Sequence, residues 1–187
     1  YAQRGGEDSG YMKHEGGQIR GVIDYHVKRR FDCIVEDGAL KQRIAARKDG
    51  LRAGRTPPDE LLVHGARALL DALQRRGLTL YLASGTDEAY VKEEAALLGV
   101  AGHFGRHIYG ALDDYRNFSK KLVIERILRE NRIAGAQLLS FGDGYVEIEN
   151  TREVGGLAVA VASDEAHNGS GRFDEWKRQR LLGVGAD

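Results

Sequence analysis

Four short apolar runs alternate with helix-length amphipathic segments over residues 59–187, and this alternation constrains the fold more than any other feature of the sequence. The runs are Leu78–Ser84, His107–Ala111, Gln137–Phe141 and Leu157–Ala162. Strand-length runs that alternate with helices are typical of βαβ units, whose parallel sheet is covered by helices on both faces. The sequence therefore predicts an α/β fold with a parallel sheet flanked by helices.

Residues 1–58 have a different character, because they are polar and glycine-rich and show no strand-like alternation. One stretch follows helical spacing, with apolar or aromatic positions at Ile19, Val22, Ile23, His26 and Val27. Thr56-Pro57-Pro58 then interrupts the chain, since proline fixes φ and disfavours helix at the preceding residue. We expect a small helical segment over 1–58, a hinge, and an α/β core over 59–187.

Charge and cysteine content exclude several classes of protein. The 28 basic residues balance 28 acidic ones, and this zero net charge argues against a general nucleic-acid binder. The single cysteine, Cys33, excludes an internal disulfide framework and any CxxC motif. No apolar stretch reaches the ~18 residues of a membrane span, and the first residues lack the apolar core of a signal peptide. We therefore expect a cytoplasmic protein without a membrane partner, of undetermined oligomeric state.

Polar residues follow the predicted strands at the edge where parallel sheets bind ligands. The candidate residues are Ser84, Gly85 and Thr86 after the first run, Lys120 at a helix start, and Asp143 and Glu147 after the third run. Hydroxyl and backbone N–H groups bind phosphate oxygens, a lysine supplies positive charge, and carboxylates hold Mg²⁺. This set predicts a site for a phosphate and a divalent metal.

Each of these features also has an ordinary structural interpretation. Ser84 and Thr86 are common helix N-caps, Lys120 and the neighbouring lysine are typical surface residues, and Asp-Gly is a frequent turn dipeptide. Glu147 could simply be a first-turn acid that complements the helix dipole. The order of the features along the chain, rather than any one of them, favours a functional site.

The same strings resemble the haloacid dehalogenase-like phosphohydrolase superfamily over about residues 60–165. Leu82-Ala83-Ser84-Gly85-Thr86 looks like its second motif, and Gly142-Asp143-Gly144-Tyr145-Val146-Glu147 looks like its fourth, GDxxxD, with Glu147 in the second acidic position. Ser119-Lys120 resembles the third motif. Lys120, and not Lys121, has the family's spacing to the apolar residues Val123, Ile124 and Ile127.

The resemblance implies a Rossmann-like core with a small N-terminal cap over residues 1–58. It implies an Mg²⁺-dependent phosphomonoester hydrolase that acts on a small organic phosphate through an aspartyl-phosphate. In that case the catalytic residues are Lys120, Ser84 and Asp143, the phosphate ligands are Ser84, Gly85, Thr86 and Lys120, and the metal ligands are Asp143 and Glu147.

The family's first motif, DxDx(T/V), has no counterpart in the sequence. Asp32 follows an aromatic residue, but Ile34 stands where the second acid belongs. In the family's strand order, 3-2-1-4-5, the missing strand is central, so we expect a fragment or a strand upstream of Tyr1. A phosphomutase and a phosphate-binding pseudoenzyme are the alternatives, whereas no GxGxxG supports a dinucleotide-binding dehydrogenase.

Two further patterns have structural interpretations. Phe173, Trp176, Leu181 and Leu182 are interpreted as the apolar face of a C-terminal helix. His103 and His107 have the spacing of helical metal ligands, but Gly102 and Gly105 favour a loop, and no metal is predicted there.

Overall fold

The computed structural model describes residues 38–111, 120–164 and 167–187. The chain divides into two compact units, Tyr1–Thr56 and Pro57–Asp187. The described part of the first unit is one helix, α1 (Gly38–Arg52). The predicted helical stripe over 19–27 lies outside the described residues, so the interpretation of residues 1–58 as a cap stays a prediction.

The second unit alternates helices and strands, as expected of an α/β fold. Its helices are α2 (Ala66–Arg75), α3 (Glu88–Leu97), α4 (Ala101–Phe104), α5 (Lys120–Asn131), α6 (Tyr145–Glu153) and α7 (Glu175–Gly183). Its strands are β1 (Leu82–Asp87), β2 (Ile108–Ala111), β3 (Leu139–Gly142) and β4 (Leu157–Ala160). Short 3-10 helices occupy Pro58–Leu61 and Gly135–Gln137. Within the described ranges, no helix is long and apolar enough to cross a membrane.

The four strands form two parallel pairs, β1 with β2 and β3 with β4. The β3–β4 pair is regular, from Leu139 opposite Leu157 to Gly142 opposite Ala160. No ladder joins β1 to β3 in the described part of the chain, so among the described residues each of these two strands pairs along one edge. That the central strand of the order 3-2-1-4-5 is missing stays a prediction.

Two apolar clusters hold the pairs to their helices. Beside β1 and β2, the cluster consists of Val91, Ala95, Val100, Phe104 and Ile108. Beside β3 and β4, it consists of Ile148, Ala158 and Leu181, which α6, β4 and α7 contribute. Helix α5 contacts both β1 and α6 and therefore joins the two halves of the unit. The predicted parallel α/β architecture is confirmed.

Several predicted boundaries and environments are wrong. The first strand starts at Leu82 rather than Leu78 and continues through Asp87, because β2 offers partners only at those positions. Of the predicted apolar face of the C-terminal helix, only Leu181 is buried, whereas Phe173 and Trp176 are 58% and 60% exposed.

The two histidines with helical metal-ligand spacing have separate protein partners. His103 lies in the short helix α4, not in a loop, and its Nε2 contacts Asp71 Oδ1 at 2.7 Å. His107 Nδ1 lies 3.4 Å from the Tyr109 hydroxyl. The residues described contain no group of three or more potential metal ligands.

Candidate functional site

An ion pair between α5 and α6 lies at the centre of the candidate site. Lys120 Nζ lies 2.7 Å from Glu147 Oε1, and the two side chains are only 25% and 17% exposed. Lys120 opens α5, and Glu147 lies in the first turn of α6, so the pair joins two helix N-termini. The partial burial reduces solvent screening, so this contact is stronger than a surface ion pair.

The neighbouring lysine is placed differently. Lys121 pairs with Glu153 at 2.7 Å, and both side chains are more than half exposed. The structure thus brings Lys120, and not Lys121, next to an acidic residue of the candidate motif.

Two glycines make room for the Glu147 side chain. A Cβ at Gly144 would lie 2.7 Å from Glu147 Oε2 and 2.9 Å from its Cδ, and a Cβ at Gly142 would collide with Glu147 Cγ. Gly144 has φ −104°, which other residues adopt freely, so space and not backbone conformation requires glycine there. The carboxylate of Glu147 is therefore folded back over the loop that carries Asp143.

A buried hydroxyl pair fixes α6 to β3. Thr151 is fully buried, and its hydroxyl donates to the Glu147 carbonyl oxygen at 2.7 Å. Because that proton is used, the Ser140 hydroxyl donates to Thr151 Oγ1 at 2.8 Å. Ser140 lies in β3, so the turn of α6 that carries Glu147 is tied to the strand that precedes Asp143.

Asp143 is exposed, and it has no hydrogen bond or ion pair to any residue that the structure describes. Its carboxylate and that of Glu147, which covers the same loop, are oxygen donors of the kind that Mg²⁺ prefers. Protein Mg²⁺ sites commonly use one or two carboxylates and complete the shell with water and phosphate oxygens. The chemistry of these two carboxylates is therefore compatible with Mg²⁺.

The segment Ser84-Gly85-Thr86 forms a bulge inside β1. The pairing passes from Ala83 opposite Tyr109 directly to Asp87 opposite Ala111, so these three residues stand opposite Gly110 alone. The Thr86 N–H donates to the Ser84 hydroxyl at 3.2 Å, within the bulge. Bulges of this kind redirect backbone groups next to binding sites.

Two residues that the sequence analysis missed support this bulge. A Cβ at Gly110 would lie 2.6 Å from both the Thr86 carbonyl oxygen and the Glu88 nitrogen, so β2 approaches the bulge as closely as glycine allows. The Glu88 carboxylate accepts hydrogen bonds from Lys92 Nζ at 2.5 Å and from the Gly110 N–H at 3.5 Å. The lysine first, and then the backbone N–H, hold the pKa of Glu88 below its usual range. The Glu88–Lys92 pair has the i,i+4 spacing that local sequence shows, whereas the contact with Gly110 depends on the position of another strand and has no local sequence signal.

The structure brings together some of the predicted site residues and not others. Lys120 and Glu147 are in direct contact, and Glu147 lies against both glycines that flank Asp143. In the described ranges, the bulge at 84–86 forms no hydrogen bond with any of these three charged residues. Ser119, the other residue of the predicted third motif, lies outside the described residues.

Comparison with known proteins places this chain in a family. The sequence profile of haloacid dehalogenase-like hydrolases matches residues 20–155, which is more than half of the chain. Among curated proteins, no significant match is found.

A solved structure shares the fold. A haloacid dehalogenase-like family hydrolase from Streptococcus pneumoniae superposes with a TM-score of 0.51 at 22% sequence identity, over 66% of this chain and 52% of that one. The chain thus spans about half the length of that protein, and at this identity the likeness concerns the fold alone. From the profile match, the chain belongs to the haloacid dehalogenase-like hydrolase family.

Proposed function

We propose that this hydrolase is an Mg²⁺-dependent phosphomonoesterase that acts on a small organic phosphate. The observation that carries the proposal is the Lys120–Glu147 ion pair, which lies over the loop of Asp143. A cation for phosphoryl oxygens and carboxylates for a metal are thereby held within one cluster. Charge of both signs, fixed in place before the substrate arrives, is what phosphoryl transfer requires.

The proposed roles follow from the groups that each residue presents. Lys120 neutralises charge on the phosphoryl group, and Ser84 with the backbone N–H groups of Gly85 and Thr86 binds phosphoryl oxygens. The Thr86 N–H donates to the Ser84 hydroxyl in this structure, so a bound phosphate oxygen would replace that internal acceptor. When bound by Asp143 and Glu147, Mg²⁺ would supply positive charge to the same oxygens.

The nucleophile in this proposal is an aspartate on a strand that is not among the described elements. Among the described residues, no strand pairs with the edges of β1 and β3 that face away from β2 and β4. A further strand paired there would carry the aspartate to the edge where the bulge and Asp143 lie. Attack on phosphorus would form an aspartyl-phosphate and break the ester P–O bond, and a second aspartate of that strand would protonate the departing alcohol. Water would then hydrolyse the aspartyl-phosphate to inorganic phosphate and the free carboxylate. Residues 1–58 would act as the cap that selects the substrate. We also propose that the protein is cytoplasmic.

Two substitutions with a matched control test the proposal. In a polypeptide that contains the proposed aspartate strand, Lys120→Ala and Asp143→Asn should each lower turnover of phosphomonoesters by about 100-fold or more. Lys121→Ala removes an exposed ion pair one residue away and should leave turnover unchanged. Wild-type turnover in either site variant, with Mg²⁺ present, would overturn the assignment.

Intact mass and N-terminal sequencing of the natural protein separate hydrolysis from the pseudoenzyme alternative. An aspartate pair upstream of Tyr1 supports the hydrolase. A natural protein without that pair, and without hydrolysis of any phosphomonoester tested, would contradict it. Return of the phosphate to a second position of the same molecule would identify a phosphomutase instead.

A further inference from the structure

Thr151 is a polar residue buried inside a helix, and helix formation and burial both disfavour its residue type there. Threonine forms helices less readily than alanine, leucine or glutamate, because its branched side chain loses freedom against the preceding turn. Its side chain in α6 is fully buried, and burial of a hydroxyl costs free energy unless the hydroxyl is hydrogen-bonded. A hydroxyl at this position therefore needs partners within the protein.

The Thr151 hydroxyl has two partners, one on each of two elements. It donates to the Glu147 carbonyl oxygen at 2.7 Å and accepts from the Ser140 hydroxyl at 2.8 Å. Glu147 lies in the first turn of α6, and Ser140 lies in β3. Replacement of both partners of a hydrogen bond by apolar groups of the same shape can be nearly neutral or stabilising. The two hydroxyls therefore add a directional connection between α6 and β3 that stability alone does not require.

The methyl group of Thr151 is enclosed on its other side. A Cβ at Gly156 would lie 2.8 Å from Thr151 Cγ2 and 3.2 Å from the Leu138 carbonyl oxygen, so the turn after α6 packs closely against the methyl group. The Gly156 N–H also donates to the Thr151 carbonyl oxygen at 2.9 Å. Because a β-branched side chain is stiff at χ1, the methyl contact and the two hydrogen bonds together fix the direction of the hydroxyl.

The two connected elements are those that present the carboxylates of the proposed metal site. Ser140 lies three residues before Asp143, and Thr151 lies about one helical turn after Glu147. Asp143 is exposed, so β3 and the loop after it set its position. Mg²⁺ demands near-ideal octahedral geometry, so its affinity depends on how the two carboxylates are placed relative to each other. The Ser140–Thr151 hydrogen bond controls that placement from below the site.

We propose that Ser140 and Thr151 are positioning residues, which hold the Asp143 and Glu147 carboxylates at the separation that Mg²⁺ requires. This role rests on the proposed function, in which these two carboxylates bind the metal. Neither hydroxyl touches the metal or the substrate, and both act by fixing α6 relative to β3. Without their hydrogen bond, apolar packing still holds α6 in place, but its first turn can shift and metal affinity is lost.

Titration of the full chain with Mg²⁺ alone by isothermal calorimetry, together with thermal melts, tests this role. A double variant, Ser140→Ala with Thr151→Val, removes both hydroxyls and leaves neither of them unpaired between β3 and α6. Its melting temperature should stay close to that of the wild type. Its Mg²⁺ affinity should fall by about tenfold, a loss typical of a replaced residue that orients a metal ligand. Ser140→Ala alone, at a half-buried position, should lose the same affinity because it breaks the same hydrogen bond.

Two control variants separate positioning from general loss of stability. Thr151→Ser keeps the hydroxyl and loses only the methyl group that packs against Gly156. Ile148→Val removes a methyl group from another fully buried residue of α6 and leaves both hydroxyls in place. Both controls should melt at a lower temperature than the wild type and bind Mg²⁺ with unchanged affinity. The controls thus lose stability but not affinity, whereas the double variant loses affinity but not stability.

Asp143→Asn distinguishes a failure of this role from a failure of the proposed function. If Asp143→Asn loses Mg²⁺ while the double variant binds it as the wild type does, the metal site stands and the positioning role is overturned. An equal loss of affinity in Thr151→Ser and the double variant would overturn it as well. If the wild type binds no Mg²⁺, or binds it no better than Asp143→Asn does, the metal site is refuted and the positioning role with it.

Discussion

Replacement of Gly144 by alanine tests whether space for the Glu147 carboxylate is what requires glycine in the acidic loop. The new Cβ would lie 2.7 Å from Glu147 Oε2, so this oxygen must retreat by about 0.7 Å to reach the 3.4 Å of ordinary contact. A shift of that size would lengthen the 2.7 Å contact between Lys120 Nζ and Glu147 Oε1 to as much as about 3.4 Å, which weakens it. The carboxylate is the end of a flexible side chain, so it can move without unfolding α6.

The expected change in the free energy of unfolding is small because two effects oppose each other. Weakening of this partly buried ion pair costs about 1 kcal/mol. Alanine at an allowed backbone conformation stabilises by about 0.4–1 kcal/mol, through the entropy of the unfolded chain. We therefore expect the free energy of unfolding of Gly144→Ala to lie within about 1 kcal/mol of the wild-type value, while the Lys120–Glu147 contact is weakened.

A double-mutant cycle isolates the steric term. In a Glu147→Ala background the collision is absent, and Gly144→Ala should then be stabilising. The two substitutions should therefore couple by about 1 kcal/mol in urea denaturation. Additivity within about 0.3 kcal/mol would refute the reasoning, because it would mean that Gly144 and Glu147 do not interact.

Other contacts lead to three further predictions. Gly110→Ala forces a methyl group into the backbone at Glu88 and should destabilise the fold by about 3 kcal/mol or more in chemical denaturation. Gly102→Ala is the control, because a Cβ there meets open space and should not destabilise the fold. The hydrogen bond from His103 holds the pKa of Asp71 below its usual range. Ionised Asp71 therefore stabilises the fold above about pH 4, and this stabilisation is lost as the pH falls through the lowered pKa. Thermal melts of Asp71→Asn and wild type should therefore converge on acidification, and a constant difference down to about pH 2 would contradict this. Gly135→Ala would place a methyl group on the carbonyl at the end of α6, and it should abolish folding as judged by circular dichroism.

The fold class could be predicted from sequence because it depends on local periodicity. Apolar runs and helical faces depend on residues that are close together in the sequence, and the parallel α/β arrangement follows from the order of these segments. The limits of β1 could not be predicted, because the apolar run 78–81 is as strand-like as 82–87. Only the position of β2 decides which of these residues are paired.

In the candidate site, too, some features could be predicted from local sequence, whereas others depend on contacts between distant residues. Lys120 was chosen over Lys121 by the family's spacing to Val123, Ile124 and Ile127, and these three residues are buried on α5. By contrast, the supporting contacts of Gly110 and Glu88 join residues 22 positions apart and leave no local pattern. The exposure of Trp176 was also unpredictable, because an apolar stripe indicates burial only if a partner surface covers it.

The charge balance of the site leads to a final prediction about the order of binding. Lys120 and Glu147 neutralise each other across 2.7 Å, and Asp143 adds an unpaired negative charge among the described residues. This excess negative charge makes the binding free energy of phosphate less favourable by about 1 kcal/mol per unit charge at contact distance in water. That change corresponds to about a fivefold loss of affinity. Mg²⁺ reverses the sign of the local charge, so phosphate should bind after the metal.

Isothermal calorimetry with inorganic phosphate measures this dependence directly. We expect the affinity of the wild type for phosphate to rise by about tenfold or more at saturating Mg²⁺. Asp143→Asn should bind phosphate more tightly than wild type without Mg²⁺ and should gain little from the metal, while Lys121→Ala should behave as wild type. Equal phosphate affinity of the wild type with and without Mg²⁺ would show that Asp143 does not control the charge of the site, and its proposed role as a metal ligand would have to be abandoned.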